Sequence, residues 1–214
     1  MGRIDSVGSQ PPRLGVLGGT FDPPHMGHLI LAESACDALG LEQVLFVPAA
    51  DPPHKHNLAI TQIEHRLAML ASAIADNPRF ALSNIDVTRP GPHYTADMLR
   101  LLSQQYANAE LFFILGGDAL RDMITWHEPA EIVKWARLAA MGRPGATLDL
   151  AAMYEKLPDL ADRLVFVDAP DIGISATLLR ERLRAGHSIR YLVPESVERY
   201  ITEHGLYRDE KAVA

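Results

Sequence analysis

Apolar runs alternate with amphipathic stretches along this chain of 214 residues. Several of the runs are short and apolar at nearly every position, which is typical of strands covered on both faces of a parallel sheet. The candidate strands lie at Leu14–Leu17, Val44–Val47, Phe80–Val87, Leu111–Leu115, Ala136–Met141 and Leu164–Val167.

Helical periodicity fills the intervals between these runs. The clearest apolar stripe recurs every three or four positions, as expected for one face of a helix. It comprises Ile60, Ile63, Leu67, Leu70 and Ile74. The other predicted helices are Leu29–Ala35, Tyr94–Tyr106, Asp149–Lys156, Thr177–Arg184 and Glu195–Glu203.

The alternation of strands and helices predicts an α/β fold. We expect a doubly wound, mainly parallel, Rossmann-like sheet flanked by helices, with a small C-terminal helical subdomain. The expected boundaries are a flexible leader at 1–13, a single domain at 14–207 and a flexible tail at 208–214.

Composition narrows the classes of function. The net charge is −7, from 20 basic and 27 acidic residues, which argues against bulk attraction to nucleic acid or to an anionic membrane. No apolar run approaches the roughly 18 residues that span a bilayer. The single cysteine, Cys36, cannot form an internal disulfide and lies in a helical pattern, where we expect a packed thiol. These features predict a cytoplasmic protein, and they exclude neither a small anionic ligand nor a homo-oligomer.

The segment Gly18–His28, with the sequence GGTFDPPHMGH, carries the strongest chemical signal. It follows the first predicted strand and leads into a helix. Glycines allow backbone N–H groups to approach a phosphate closely, and a helix N-terminus adds partial positive charge. His25 and His28 add hydrogen-bond donors or charge where a transition state gains negative charge. The segment therefore predicts a phosphate-binding site.

Two other interpretations of the two histidines stay open at this point. A metal ion can bind histidines three residues apart, but zinc needs three or four ligands, and the sequence has neither an HExxH motif nor a cysteine cluster. Either His25 or His28 alone is also compatible with capping or packing at a helix start. The neighbouring Gly18 and Gly19 favour phosphate over both.

Other unusual residues also follow predicted strands, where ligands bind in doubly wound sheets. They lie at Asp51–His56, Gly116–Asp118 and Ser175–Arg180. In the last segment, Ser175 or Thr177 is a natural N-cap, and the N–H groups at that helix start suit phosphate. Arg180 adds a fork of donors within about the first turn. A plain capped helix with an exposed arginine is the alternative.

Two of these segments carry a family resemblance. Gly18–His28 resembles the (T/H)xGH signature of the nucleotidylyltransferase superfamily, in the GGxFDPxHxGH form of bacterial nicotinate-nucleotide adenylyltransferases. Ile174–Arg180, ISATLLR, is similar to the family's ISSTxIR, with Ala176 where a serine is common. The resemblance runs from about Leu14 to Tyr207. It implies transfer of AMP from ATP to nicotinate mononucleotide, with pyrophosphate released and with Mg²⁺ bound mainly by ATP and water.

The resemblance also implies roles for individual residues. His25, His28 and Arg180 would be catalytic, through contacts with the ATP phosphates. The expected ATP-binding residues are Gly18, Gly19, Thr20, Phe21, Gly116, Asp118, Ser175 and Thr177. The expected nicotinate mononucleotide-binding residues are Lys55, Tyr94, Thr95, Trp126 and Arg143.

Several of these residues also have plain structural interpretations. Lys55, in a PPHK loop, would otherwise be a solvated lysine, and Thr95 would be an ordinary helix N-cap. Trp126 would pack in the core if the resemblance were set aside. Trp135 is predicted to be a core residue, and Arg66 a solvated residue on a helix face.

Three alternative functions follow from the same residues. A sister nucleotidylyltransferase would use nicotinamide mononucleotide or phosphopantetheine, and Gly91–Thr95 and Trp126 argue for a pyridine substrate without choosing between the acid and the amide. A non-catalytic nucleotide-binding module would not need His25, His28 and Arg180 together. A dehydrogenase is the weakest alternative, because no GxGxxG follows a strand.

Overall fold

The computed structural model describes residues 11–51, 60–142 and 148–208. Within these ranges, six parallel strands form one sheet in the order β3-β2-β1-β4-β5-β6. They are β1 (Arg13–Gly19), β2 (Gln43–Pro48), β3 (Phe80–Leu82), β4 (Glu110–Gly116), β5 (Arg137–Met141) and β6 (Leu164–Val167). The strand order confirms the predicted doubly wound sheet.

Helices connect the strands and follow the last one. The described residues contain α1 (Met26–Leu39), α2 (Ile63–Ile74), α3 (Thr95–Gln105), α4 (Gly117–Met123), α5 (Pro129–Trp135), α6 (Leu150–Lys156), α7 (Leu160–Arg163), α8 (Ala176–Arg184) and α9 (Glu195–Glu203). No helix among them has the length and apolar character needed to cross a bilayer.

The core has two layers, one on each face of the sheet. Along β2, Val44 and Phe46 join one buried cluster, whereas Leu45 and Val47 join the other, as the two-residue period of a strand requires. Helices α1, α2, α8 and α9 contribute buried residues to the first cluster, and α3 to α7 contribute to the second. The predicted C-terminal helices therefore complete one face of the main core.

The boundaries differ from the predicted ones in three places. Strand β1 begins at Arg13, inside the predicted leader, where Arg13 is in register with Glu110. The prediction of a strand over Phe80–Val87 is wrong beyond Leu82, because the carbonyl of Asn84 accepts two later N–H groups and turns the chain. Helices α4, α5 and α7 were not predicted, since at seven, seven and four residues they show little periodicity.

The expected packed thiol is present. Cys36 lies on the buried face of α1 and is free. Burial raises the pKa of its thiol from 9.0 to about 11. The thiol therefore stays protonated near neutral pH and fills space as a small apolar group.

The strand order reverses between β1 and β4, which are neighbours at the centre of the sheet. In doubly wound sheets a ligand crevice opens beyond the carboxyl ends of the strands at this point. Gly18 and Gly19 end β1, and Gly116 ends β4. The fold thus places these three glycines together at the carboxyl ends of the two central strands.

Candidate active site

Two cavities open at the carboxyl edge of the sheet, and the glycine turn of Gly18, Gly19 and Thr20 lines one of them. One, the Trp126 cavity, encloses about 220 Å³ and is lined by Gly18, Gly19 and Thr20 together with residues of β2, α3 and the loop after α4. The other, the Asp118 cavity, encloses about 690 Å³ and is lined by the start of α1 and by the carboxyl ends of β4 and β5. The two cavities provide space for two ligands at one edge of the sheet.

The signature histidines meet at the start of α1. His25 is the N-cap, and its ring stacks on that of His28, with 3.7 Å between the centroids. The backbone N–H of His25 donates to Nδ1 of His28 at 3.2 Å. Because Nδ1 accepts, the neutral ring of His28 carries its proton on Nε2. The ring of Phe21 meets His28 edge-on at 4.9 Å and fixes its plane.

His25 is the more buried member of the pair. Its side chain is only 6 % exposed, and its Nδ1 atom is buried with no hydrogen-bond partner among the described residues. An unpartnered polar atom at such depth is costly, which points to a group reserved for a ligand. Burial lowers the pKa of His25 from 6.5 to about 4, so the ring is neutral near pH 7.

The shifted pKa of His25 makes stability depend on pH. Between about pH 6.5 and pH 4 the unfolded chain binds more protons than the folded chain, because the unfolded pKa is about 6.5. The free energy of unfolding therefore falls as the pH decreases through this window, by up to about 3 kcal/mol. We expect His25→Gln to lose less stability than the wild type between pH 7 and pH 5. The measurement is the change in the urea midpoint of unfolding between the two pH values. The exposed His187→Gln is the control, and equal pH dependence in His25→Gln and the wild type would contradict the assignment.

The second signature segment lies beside the first. Ser175 is the N-cap of α8, as predicted, and its Oγ accepts the N–H of Leu178 at 3.2 Å. The guanidinium of Arg180 donates through Nη1 to the backbone carbonyl of Asp22 at 2.7 Å and through Nη2 to Thr177 Oγ1 at 3.4 Å. The two segments are far apart in sequence, and the fold brings them into direct contact.

Aromatic rings form the wall of the Trp126 cavity. Trp126 is half-buried and meets Phe113 edge-on at 6.3 Å, and Tyr94 stacks on His127 at 4.0 Å. The N-cap of α3 is Tyr94, without a side-chain cap bond, and Thr95 is its first residue. The alternative interpretation of Thr95 as the N-cap therefore does not hold, and Thr95 lines the cavity. A flat, aromatic-walled space of this size suits a single heteroaromatic ring.

The lining of the Trp126 cavity includes a carboxylate that forms an ion pair. Asp86 is buried and pairs with Arg89, with 2.8 Å between Oδ1 and Nε. Burial raises the pKa of Asp86, and Arg89 opposes that shift. His93 accepts the N–H of Asp51 at Nδ1 and faces the carbonyl of Arg89 with Nε2, at 3.1 Å each. Because these polar groups form ion pairs and hydrogen bonds with other groups of the protein, they shape the cavity.

The Asp118 cavity is wider and more polar. Gly116 is the N-cap of α4, and Gly117 and Asp118 begin that helix. All three line the cavity, with Arg121 paired to Asp118 at 2.8 Å. Gly27, at the start of α1, lines the opposite wall. The helix starts and an exposed carboxylate suit a ligand that has both phosphate and hydroxyl groups.

The positions of the residues in the structure change several of the predicted roles. Phe21 is 1 % exposed, so it presents almost no surface to a ligand. The prediction of Trp135 as core is wrong, since it is half-buried and donates from Nε1 to Glu131 at 2.9 Å. Lys55 and Arg143 lie outside the described residues. Within the described ranges, no group of three or more His, Cys, Asp or Glu is placed to hold a metal ion.

Arg66 is the largest departure from the predicted environments. It is 1 % exposed instead of solvated, and its hydrogen-bond partners among the described residues are backbone carbonyls. The guanidinium donates to Thr20 and Ala49 at 2.8 Å, to Thr61 at 2.8 Å and to Ala50 at 3.1 Å. Arg66 thus ties the glycine turn to the end of β2. Its spacing three residues after Ile63 and four before Leu70, on the apolar stripe, was a usable sequence signal.

Other contributors were missed for different reasons. His127 follows Trp126 directly, and only its stacking on Tyr94 marks it as a wall residue. Tyr207 lies near the C-terminus, and its hydroxyl donates to the Asp22 carboxylate at 2.6 Å. The 185 residues that separate this pair left no local signal in the sequence.

Comparison with known proteins identifies the relatives of this chain. The cytidylyltransferase-like family matches residues 16–182. A probable nicotinate-nucleotide adenylyltransferase of Thermomicrobium roseum is 51% identical over 201 residues, which cover 94% of each chain. The corresponding protein of Thermus thermophilus is 45% identical over 196 residues, covering 92% of this chain and 100% of that one.

Solved structures show the same fold. A Plasmodium falciparum nicotinic acid mononucleotide adenylyltransferase complexed with NaAD superposes with a TM-score of 0.75 at 19% identity. The match covers 92% of this chain and 97% of that chain. At this identity the likeness supports the fold, and the sequence relatives support the family.

Proposed function

The chain belongs to the nicotinate-nucleotide adenylyltransferases of the cytidylyltransferase-like family, and from this premise we propose that it transfers the adenylyl group of ATP to nicotinate mononucleotide. The products are nicotinate adenine dinucleotide and pyrophosphate. The observation that carries the proposal is the pair of cavities at the carboxyl edge of the sheet. The aromatic cavity fits a pyridine ring, and the larger polar cavity fits a nucleotide.

The proposed binding mode follows from these walls. The pyridine ring lies between Trp126 and Tyr94, with Thr95 beside it. The adenosine lies in the Asp118 cavity, where the carboxylate of Asp118 accepts ribose hydroxyls. Gly18 and Gly19, which were predicted to bind ATP, line the Trp126 cavity, where they would allow the phosphate of the mononucleotide to approach the backbone. Lys55 and Arg143 remain proposed contacts of the mononucleotide.

The proposed reaction is an in-line displacement at the α-phosphorus of ATP. A phosphate oxygen of the mononucleotide forms the new P–O bond, and the bond to the bridging oxygen of pyrophosphate breaks. The attacking oxygen is already anionic, so the reaction needs neither a general base nor a covalent enzyme intermediate. Positioning of the two phosphates lowers the activation barrier of the reaction. In favourable systems this effect contributes about 7–11 kcal/mol.

The protein groups then stabilise charge on the phosphates. His28 presents Nε2–H, and His25 is neutral at pH 7, so both act as hydrogen-bond donors without a change of protonation. Arg180 adds positive charge from the side of α8, and the starts of α1 and α8 add partial charge. Mg²⁺, if it enters with ATP, would neutralise phosphate charge while held by phosphate oxygens and water.

Gly27 offers a test of how tightly the histidines must be held. A Cβ on Gly27 would lie 3.0 Å from Nδ1 and 3.1 Å from Cε1 of His25, so the ring must shift by a few tenths of an ångström. Because His25 stacks on His28, both rings would be displaced. We expect Gly27→Ala to lower kcat/KM about tenfold, while alanine's better helix propensity keeps Tm near that of the wild type. Gly173→Ala, where a Cβ meets nothing within 4 Å and which lines neither cavity, is the steric control. Unchanged turnover in Gly27→Ala would contradict the assigned packing.

Trp126 tests the position of the pyridine ring. We expect Trp126→Ala to raise KM for nicotinate mononucleotide about tenfold or more, since stacking on an aromatic side chain is worth about 1–3 kcal/mol per base. KM for ATP should change little, because ATP binds in the other cavity. Trp135→Ala is the matched control outside the cavity. Equal changes in both KM values for Trp126→Ala would identify a structural tryptophan instead.

One assay tests the function itself. Pyrophosphate release from ATP would be measured with nicotinate mononucleotide, nicotinamide mononucleotide and phosphopantetheine in parallel. The proposal expects the highest kcat/KM with nicotinate mononucleotide. Preference for phosphopantetheine would identify a sister enzyme, and absence of release with all three acceptors would identify a binding module.

A further inference from the structure

The C-terminal segment closes over the first signature segment. The hydroxyl of Tyr207 donates to Oδ1 of Asp22 at 2.6 Å, and the backbone N–H of Thr61 donates to Oδ2 at 3.3 Å. A second link lies nearby, where the N–H of Met26 donates to the carbonyl of Leu192 at 3.0 Å. The chain beyond α8 therefore holds both ends of the stretch 22–26.

Asp22 connects this segment to the proposed catalytic arginine. Its side chain is buried, so its carboxylate depends on donors from the protein. Its backbone carbonyl accepts Nη1 of Arg180 at 2.7 Å, the shortest contact of that guanidinium. Any shift of Asp22 therefore moves the acceptor that orients Arg180.

Tyr207 is suited to hold Asp22 in one place. Burial, followed by the charge of Asp22 and its hydrogen bond, raises the pKa of Tyr207, so the hydroxyl keeps its proton and stays a donor. The residue has a left-handed backbone, with φ of 64°, and Phe21, which precedes Asp22, has φ of 51°. Non-glycine residues keep such angles only where the surroundings determine them. The surrounding structure therefore holds both Phe21 and Tyr207 in a left-handed conformation that non-glycine residues disfavour.

We propose that Tyr207 is a positioning residue, which fixes Asp22 and through its carbonyl orients Arg180 toward the phosphates. This inference rests on the proposed function, because it assigns Arg180 a role in adenylyl transfer. It adds a residue outside both signature segments and both cavities. The hydroxyl, rather than the ring, carries the effect.

The test is a double-mutant cycle with Tyr207→Phe and Arg180→Ala. Phenylalanine keeps the ring and removes only the hydroxyl. We expect Tyr207→Phe to lower kcat/KM about tenfold in the wild-type background, the equivalent of one hydrogen bond to a charged group. In the Arg180→Ala background the same substitution should change kcat/KM by less than about twofold, because the group through which it acts is gone.

Controls separate positioning from loss of structure. Tyr191→Phe, a tyrosine of the same segment that is 82% exposed, should behave as wild type. Thermal unfolding of each variant gives its folded fraction at the assay temperature. An equal loss of activity in both backgrounds, or a Tyr207→Phe enzyme within about twofold of wild type, overturns the proposal.

The outcomes also distinguish this inference from the proposed function. An impaired Arg180→Ala with an unimpaired Tyr207→Phe overturns the positioning role alone. A fully active Arg180→Ala overturns the positioning role together with the catalytic role of the arginine. If the wild type releases no pyrophosphate with any acceptor, the proposed function fails. The cycle is then decided by the ATP dissociation constants of the same four proteins, where coupling supports the positioning role and additivity overturns it.

Discussion

His28→Ala is expected to lower kcat/KM by about a hundredfold or more. The ring is held on three sides, by stacking on His25, by the edge of Phe21 and by the N–H of His25 at its Nδ1 atom. That bond places the proton of the neutral ring on Nε2, so the ring is a donor prepared before substrate binds. Charge that develops on the phosphates in the transition state gains most from such a preorganised donor.

The substitution His28→Asn distinguishes the roles of the two ring nitrogens of His28, Nδ1 and Nε2. Its side-chain oxygen can accept the N–H of His25 as Nδ1 does, but no donor replaces Nε2–H. We expect kcat/KM of His28→Asn to fall nearly as far as that of His28→Ala, with smaller loss of stability. His187→Ala, at an exposed position, should be fully active. A kcat/KM of His28→Ala within tenfold of wild type would show that the ring only packs against Phe21.

Arg180→Ala should also cost about a hundredfold or more in kcat/KM, since arginines that neutralise transferring phosphoryl groups have effects of this size or larger. The guanidinium is docked on the carbonyl of Asp22, so its position is set before the substrates arrive. Pre-orientation of this kind avoids part of the entropic cost of binding. We expect most of the loss in kcat, because the charge on the phosphates develops further in the transition state.

Arg180→Lys should recover part of the activity, because it restores charge but lacks the planar fork that reaches Asp22 and Thr177 together. Arg184→Ala, an exposed arginine on the same helix, is the matched control for net charge. The measurement is steady-state pyrophosphate release at fixed ionic strength. If Arg184→Ala is as impaired as Arg180→Ala, the effect is long-range electrostatics and the assigned contact is wrong.

The family and the fold class were readable from local signals. The two signature segments and the alternation of strands with helices predicted a doubly wound sheet, and the strand order confirms it. Cys36 and the N-cap Ser175 were predicted correctly because helix position and capping chemistry are properties of a few neighbouring residues. Helices α4, α5 and α7 were missed because they show little periodicity, whereas α6, also of seven residues, was predicted.

The failures share a physical cause: burial depends on what the rest of the chain places nearby. Arg66 is buried because the residues after β1 and β2 bring three carbonyls to its guanidinium and Thr61 adds a fourth, and three of these partners are distant in sequence. Thr95 lines a cavity instead of capping α3 because Tyr94 takes the cap position. Trp135 remains half-buried because its indole N–H pairs with Glu131 near the surface.

The sequence alone therefore determined the chemistry, since glycines, histidines and an arginine in two signature segments suffice to indicate phosphate transfer. Only the tertiary structure decided which groups act together. The contact between Arg180 and Asp22, the hold of Tyr207 on the Asp22 carboxylate and the division of the site into two cavities all join residues far apart in the chain. Hydrogen bonds and packing act over a few ångströms in space, whatever the separation in sequence, so folding had to create these contacts.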